Sequence, residues 1–266
     1  MMARLAALLP KPLRTGLRRV LDPMMARLGY IRFDTARHYA EDGLFSVHNA
    51  EFRRAPQFQA AYARGMQASW GVDPGFAWRV HVALWAAGTA MRTTGDFVEC
   101  GVNAGFLSSA IMQHLNWAGV PRRFYLIDTF AGPVVEQFSP EELKLGKADL
   151  TKELLSRGAY VTDLERVRAN FAEWPNAVVV QGSVPEVLAT LEIPRVAFLH
   201  IDLNCAYPEC AAVTHFWPRL SPGAVVLLDD YANHEHRYQK QAMDATVRGL
   251  KSEVVSLPTG QGLIVR

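Results

Sequence analysis

Long hydrophobic runs are missing from this sequence. No apolar stretch reaches the ~18–20 residues that a membrane-spanning helix needs. The apolar stretch within Met1–Pro10 is short and lacks a small-residue cleavage site, so a secretory leader is not expected. Cysteine is scarce: Cys100, Cys205 and Cys210 make neither a disulfide framework nor a zinc-spaced cluster, which points to a reducing, cytoplasmic setting. Internal repeats and low-complexity tracts are absent. The charged fraction, 20%, is too ordinary for a disordered chain.

A large charge of one sign is also lacking, since the net charge is +2. That value hides an asymmetry. Residues 1–32 carry seven basic side chains against Asp22, a local +6 that leaves the remainder at −4. The body is therefore not expected to bind nucleic acid. The basic head suits peripheral contact with an anionic membrane face. The plainer and preferred reading is a solvated helix docked on the body or on a second subunit, as in a homodimer.

What is present is alternation. Residues 1–84 read as a helical N-terminal extension, with Phe58–Met66 and Phe76–Met91 apolar at helical spacing. From residue 85 to 266 the pattern changes. Short apolar runs at 96–100, 123–128, 177–181, 196–202 and 224–229 alternate with helical segments such as Phe106–Trp117. Such runs predict parallel strands buried on both faces, in an α/β, doubly wound, mostly parallel sheet. Glu253–Leu257 and Leu263–Val265 flank Pro258–Gly262 and predict a closing antiparallel hairpin. Residues 129–176 exceed what a crossover needs and are expected to form a lid or substrate wall.

In open α/β sheets, ligands bind outside the carboxyl ends of the strands. Four of the five predicted strand ends carry acids here: Glu99, Asp128, Asp202 and the pair Asp229–Asp230. Gly101 and Gly105 bracket a loop through which a backbone can approach a ligand at a helix N-terminus. Asn103 stands where a dinucleotide-binding loop has its second glycine. Glu99 beside that loop would repel a pyrophosphate and attract a sulfonium and an ammonium, so S-adenosylmethionine is favoured over a nicotinamide cofactor. Asp128, followed by Thr129, suits the ribose hydroxyls, or alternatively caps the following segment. Gly182 and Ser183 border the adenine, or Ser183 caps a helix at Pro185. Asp202, Asp229 and Asp230 form a hard oxygen site suited to Mg²⁺. Their alternative is to bind backbone amides and water. Arg79, His81 and Trp85 line the substrate side or simply pack on their helix; Trp174 and Trp217 belong to the core.

These motifs resemble a known family. Gly95-Asp-Phe-Val-Glu-Cys-Gly-Val-Asn103, Leu126-Ile-Asp-Thr-Phe-Ala-Gly132, His200-Ile-Asp-Leu-Asn204, Pro218-Arg-Leu-Ser-Pro-Gly223 and Leu228-Asp-Asp-Tyr231 are similar, in order and spacing, to motifs of the macrocin O-methyltransferase (TylF-type) family. The resemblance spans roughly residues 90–245. It implies the class I methyltransferase fold with a seven-stranded sheet. It also implies S-adenosylmethionine, Mg²⁺ on Asp202, Asp229 and Asp230, and an acceptor hydroxyl on a sugar of a glycan or natural product. The chain departs from the family at Asn204, where relatives carry an acid proposed as the general base. An amide cannot take a proton at neutral pH. Metal-held Asp202 alone, or His234 or His236, is then left to serve catalysis. A nicotinamide-dependent oxidoreductase and a non-catalytic cofactor-binding scaffold are the alternatives.

Overall fold

The computed structural model describes residues 39–266, so the basic segment 1–32, with its expected membrane or docking role, lies outside the described residues. The chain falls into two units. The described part of the smaller is residues 39–40 and 44–49; the larger holds 41–43 and 50–266. Strands β1 (Tyr39–Glu41) and β2 (Leu44–Ser46) pair as a two-stranded sheet.

In the larger unit, α1 (Pro56–Ala68) and α2 (Ala77–Ala90) precede the main sheet. Helix α2 runs unbroken across residue 84 and packs on the sheet, so it belongs to the body. There follow β3 (Asp96–Cys100), α3 (Phe106–His114) and β4 (Phe124–Asp128). The long connection after β4 holds α4 (Pro140–Lys144), α5 (Lys147–Ser156) and α6 (Leu164–Phe171). Then come β5 (Ala177–Gln181), β6 (Val196–Ile201), α7 (Ala206–Phe216) and β7 (Leu220–Leu228). The chain ends with α8 (Arg237–Gly249), β8 (Val255–Ser256) and β9 (Gly262–Val265).

The seven-stranded order is β5-β4-β3-β6-β7-β9-β8. The five strands β3 to β7 pair in parallel, and β9 enters antiparallel between β7 and β8. This is the expected doubly wound sheet closed by a hairpin. A symmetrical dinucleotide-binding sheet has no such inserted strand.

Both faces of the sheet are covered, which explains why its strands read as continuous apolar runs. On one face the register aligns Phe97 with Phe124 and Phe198. Their rings sit 5.6 and 5.2 Å from Phe97, with Trp117 at 4.9 Å, within the range where aromatic pairs attract. On the other face Val98, Ile127, Leu199, Ile201, Val226 and Leu228 pack in one cluster with residues of α7 and α8, among them Val213, Phe216 and Met243. Trp174 and Trp217 are buried, as expected.

Three local expectations are revised. Helix α3 stops at His114, because Asn116 turns left-handed (φ 50°) and places Trp117 on a separate turn. Strand β7 starts at Leu220, four residues early; the register jump between Val196 and Phe198 forms a bulge that absorbs Pro222 and Gly223. Ser183 caps no helix: the turn beginning at Glu186 has no side-chain cap.

Phe198→Ala, emptying the centre of the aromatic face, is expected to cost about 3–5 kcal/mol in urea unfolding. Val255→Ala, on the exposed edge strand β8, should change stability by less than about 0.5 kcal/mol.

Candidate active site

The strand ends place their acids as the alternation predicts, and hydrogen bonds show what each does. At the tip of β3, Glu99 is buried. Its Oε1 meets His200 Nδ1 at 3.0 Å, whereas buried Oε2 has no hydrogen-bond partner among the described residues. An unpaired carboxylate oxygen costs free energy unless something meets it. Glu99 lines a cavity of about 370 Å³ that also reaches Asp202, Asp229 and Arg79. Its carboxylates can accept from an ammonium group.

The glycine loop is tighter than expected. Gly101 has φ +91°, and a Cβ there would lie 1.8 Å from the carbonyl oxygen of Asp202. A Cβ on Gly105 (φ +83°) would strike the Phe171 ring at 2.4 Å. These glycines are needed because the protein's own chain approaches the loop, not only to admit a ligand. Asp128 holds the loop in place: Oδ2 accepts from Val102 N (2.7 Å) and Asn103 N (2.9 Å), and Oδ1 from Phe130 N (2.7 Å). Thr129 Oγ1 gives its one proton to Gly132 O (2.7 Å), which leaves Oδ1 a lone pair. The backbone-binding alternative is thus realised, and it is compatible with a ribose contact at Oδ1. Asp128, Thr129, Gly182 and Ser183 line a second, narrower cavity beyond Gly101. Ser183 Oγ accepts there from Gln137 Nε2 at 3.0 Å.

Asn103 (φ 50°) reaches the other way. Its Nδ2 donates to Ala159 O (3.0 Å) and its Oδ1 accepts from Val161 N (2.8 Å). The long insert is thereby stitched to the glycine loop, with Tyr160 between the stitches in the narrower cavity. Burial, reinforced by Asp202, Asp230 and Asp128, pushes the Tyr160 phenol up to about 12. It stays a neutral donor.

The centre of the site is a chain of alternating charge. Burial works against the charge of His200, but Asp229 and Glu99 outweigh it and lift its pKa to about 10, so the ring is cationic. His200 Nε2 faces Asp229 Oδ1 at 3.7 Å, an ion-pair distance rather than a hydrogen bond. Gln261 Nε2 donates to the same oxygen at 3.1 Å. Arg79 Nη1 meets Asp229 Oδ2 at 2.7 Å and Asp230 Oδ1 at 3.0 Å, while Nε meets Asp42 Oδ2 at 2.5 Å. Asp229 is held well below the usual carboxylate range: burial opposes this, but His200 and Arg79 prevail. Asp202 goes the opposite way, raised by burial and by Asp229 and Asp230. One carboxylate oxygen from each of Asp202, Asp229 and Asp230 lies within 4.8 Å of the others. Three oxygens at adjacent strand ends, short of positive charge at Asp202, fit a hard divalent cation.

The two candidate histidines part company. His234 is exposed. His236 is half-buried, with Nε2 3.8 Å from Asp230 Oδ2 and Nδ1 bonded to Gln239 Oε1. Behind it lies a polar cluster that sequence reading missed: Lys147 bonds to Gln239 and to Asn204 O (3.0 Å), and Gln239 Nε2 donates to Glu209 Oε1 (3.0 Å). Burial, helped by Asp230, pushes the Glu209 carboxyl up to about 8. Asn204 (φ 56°) donates Nδ2 to Asp202 Oδ1 at 3.1 Å, so the residue in the expected base position steers the acid instead. Arg79 does line the large cavity. His81 stacks on Phe52 at 4.0 Å and Trp85 is exposed, so both have packing or surface roles.

The architecture is that of the class I methyltransferase fold: a seven-stranded sheet with an inserted antiparallel strand, and an acid-lined cleft at its carboxyl edge. The chain belongs to the methyltransferase domain family, whose pattern matches residues 98–231, half of the chain. It is similar, at 30% identity over 150 residues, to the 8-demethyl-8-(2,3-dimethoxy-alpha-L-rhamnosyl)-tetracenomycin-C 4'-O-methyltransferase of Streptomyces olivaceus. That match covers 52% of this chain and 53% of the relative, so the chain spans about half the length of the curated relative it matches. Among solved structures, the O-methyltransferase NovP shares the fold at TM-score 0.62 and 18% identity, covering 82% of this chain and 99% of that one. CalS11, a calicheamicin methyltransferase, does so at TM-score 0.54 and 17% identity, covering 82% and 94%. The nicotinamide alternative is not favoured by any of these likenesses.

Because the Glu209 carboxyl titrates near 8 when folded and lower when unfolded, the folded state holds the extra proton between those values. Stability should therefore fall as pH rises from about 4.5 to 8. Glu209→Gln keeps an acceptor for Gln239 and removes this penalty. Melting of the metal-free variant should exceed wild type at pH 8.5 and match it near pH 4.5. Gly101→Ala, by contrast, should cost roughly 3 kcal/mol or more, whereas Gly119→Ala, whose Cβ meets open space, should cost far less.

Proposed function

We propose that the protein is an S-adenosylmethionine-dependent O-methyltransferase of the macrocin (TylF) type, acting with Mg²⁺ on a sugar hydroxyl of a natural product or glycan. The observation that carries the reading is the buried, unpaired Oε2 of Glu99, a residue that lines the same cavity as Asp202 and Asp229. The rhamnosyl acceptor in the tetracenomycin relative's name supports a deoxysugar as the substrate class.

Bound S-adenosylmethionine would supply the methyl group, and Mg²⁺, which Asp202, Asp229 and Asp230 would hold, would lower the pKa of the acceptor hydroxyl. Glu99 would receive the cofactor's ammonium. The loop from Gly101 through Asn103 to Gly105, kept in shape by Asp128, would flank its methionine part, and Asp128, Thr129, Gly182 and Ser183 line the space for the nucleoside. As the hydroxyl oxygen takes the methyl group, its proton must leave to a base.

His236 is the residue suited to take that proton. Gln239 is oriented by donating to Glu209, so its oxygen accepts from His236 Nδ1–H, and Nε2 keeps its lone pair on the Asp230 side. Protein residues thus contribute positioning and a base, effects worth about 10²–10⁴-fold for the proton transfer alone.

Titration with S-adenosylhomocysteine should give a calorimetric signal that Glu99→Gln weakens at least tenfold; no heat at millimolar ligand overturns the cofactor assignment. With a radiolabelled methyl donor, rhamnosides should be methylated in an EDTA-sensitive way. His236→Asn should lower kcat about 10²-fold or more, and His234→Asn less than twofold. Methylation indifferent to EDTA and to Asp230→Asn would remove Mg²⁺ from the reading.

A further inference from the structure

The acidic site already holds a cation of its own. Arg79 Nη1 bridges Asp229 Oδ2 (2.7 Å) and Asp230 Oδ1 (3.0 Å), two of the three acids grouped for a divalent cation, and it also reaches Asp229 O at 3.4 Å. A third acid holds the same guanidinium: Asp42 Oδ2 accepts from Nε at 2.5 Å. Asp229 Oδ1 is engaged by Gln261 and faces His200, so Oδ2, the oxygen that Arg79 holds, is the one less committed to the strand framework. Asp202 is outside the clamp: Arg79 pairs with two acids of the three, and Asp202 Oδ1 instead accepts from Asn204.

We propose that Arg79 is a resident counter-ion that competes with the divalent cation for Asp229 and Asp230. Metal reaches all three acids only when the guanidinium gives way toward Asp42. The arginine therefore sets a weak metal affinity and keeps the acid pair from repelling itself when no metal is bound. Three carboxylates with one built-in positive charge bind a divalent ion less tightly than three carboxylates alone. Asp42, in the turn that follows β1, already accepts from Nε and stays as the anchor of the displaced side chain.

This inference rests on the metal part of the proposed function, and one experiment separates the two. The metal-free full chain is titrated with Mn²⁺, free ion being read by electron paramagnetic resonance, with no acceptor or methyl donor present. Arg79→Gln should bind Mn²⁺ about tenfold or more tightly than wild type. Asp42→Asn removes the outside anchor without touching the acids, so a displaced guanidinium loses its refuge. That variant should bind Mn²⁺ several-fold more weakly than wild type. Near-UV circular dichroism checks that each variant keeps its native packing. Equal Mn²⁺ affinity in wild type and both well-folded variants, or weaker binding by Arg79→Gln, overturns the competition while leaving the metal site standing. Mn²⁺ taken up by neither wild type nor Arg79→Gln overturns the metal reading itself, and the competition with it.

Discussion

The structure depends on keeping like charges together. Four adjacent strand ends carry carboxylates into a partly buried cleft, an arrangement that would repel itself without interleaved cations. The protein threads positive charge between the acids: Glu99, then His200, then Asp229, then Arg79 with Asp230 and Asp42. Each link comes from a different element, so the ion chain ties β3, β6 and the end of β7 to helix α2. The cleft is thus the place where the order of the sheet and the packing of the N-terminal helices are enforced together.

Asp202 is where that compensation stops. It receives an amide from Asn204 rather than a full positive charge, and its carboxyl is raised by its acidic neighbours. A site with one under-compensated acid beside two neutralised ones is polarised: new positive charge is welcomed at one end and must displace an occupant at the other. Glu99 Oε2 repeats the pattern on the far side, as a buried oxygen awaiting a donor. Both residues line the same cavity.

Much of the fold was legible in the sequence, because parallel strands buried on both faces write themselves as apolar runs and the hairpin announces itself through its turn residues. β7 was misjudged because Pro222 and Gly223 look like a stop, and only a bulge against β6 reveals how they are absorbed. The acids of the site were legible as strand-end residues. Their partners were not. Arg79 comes from a helix more than a hundred residues away from Asp229, and Lys147, Glu209 and Gln239 meet only through tertiary packing. The division between His234 and His236 was equally hidden, since two residues of spacing on a single turn decide which ring faces Asp230 and which faces water. Asp128 shows the limit in reverse. An acid at a strand end is compatible with binding ligand or binding backbone, and only the three backbone amides around it show that it holds the loop.

The side chain of Asn103 ties the glycine loop to Ala159 and Val161 by two hydrogen bonds, one donated and one accepted. Moving loop and insert apart therefore costs these two hydrogen bonds. A ligand that steadies the loop spares the insert part of its ordering entropy, and an occupant that steadies the insert returns the favour to the loop by thermodynamic reciprocity. One asparagine thus links the ordering of the loop to that of the insert.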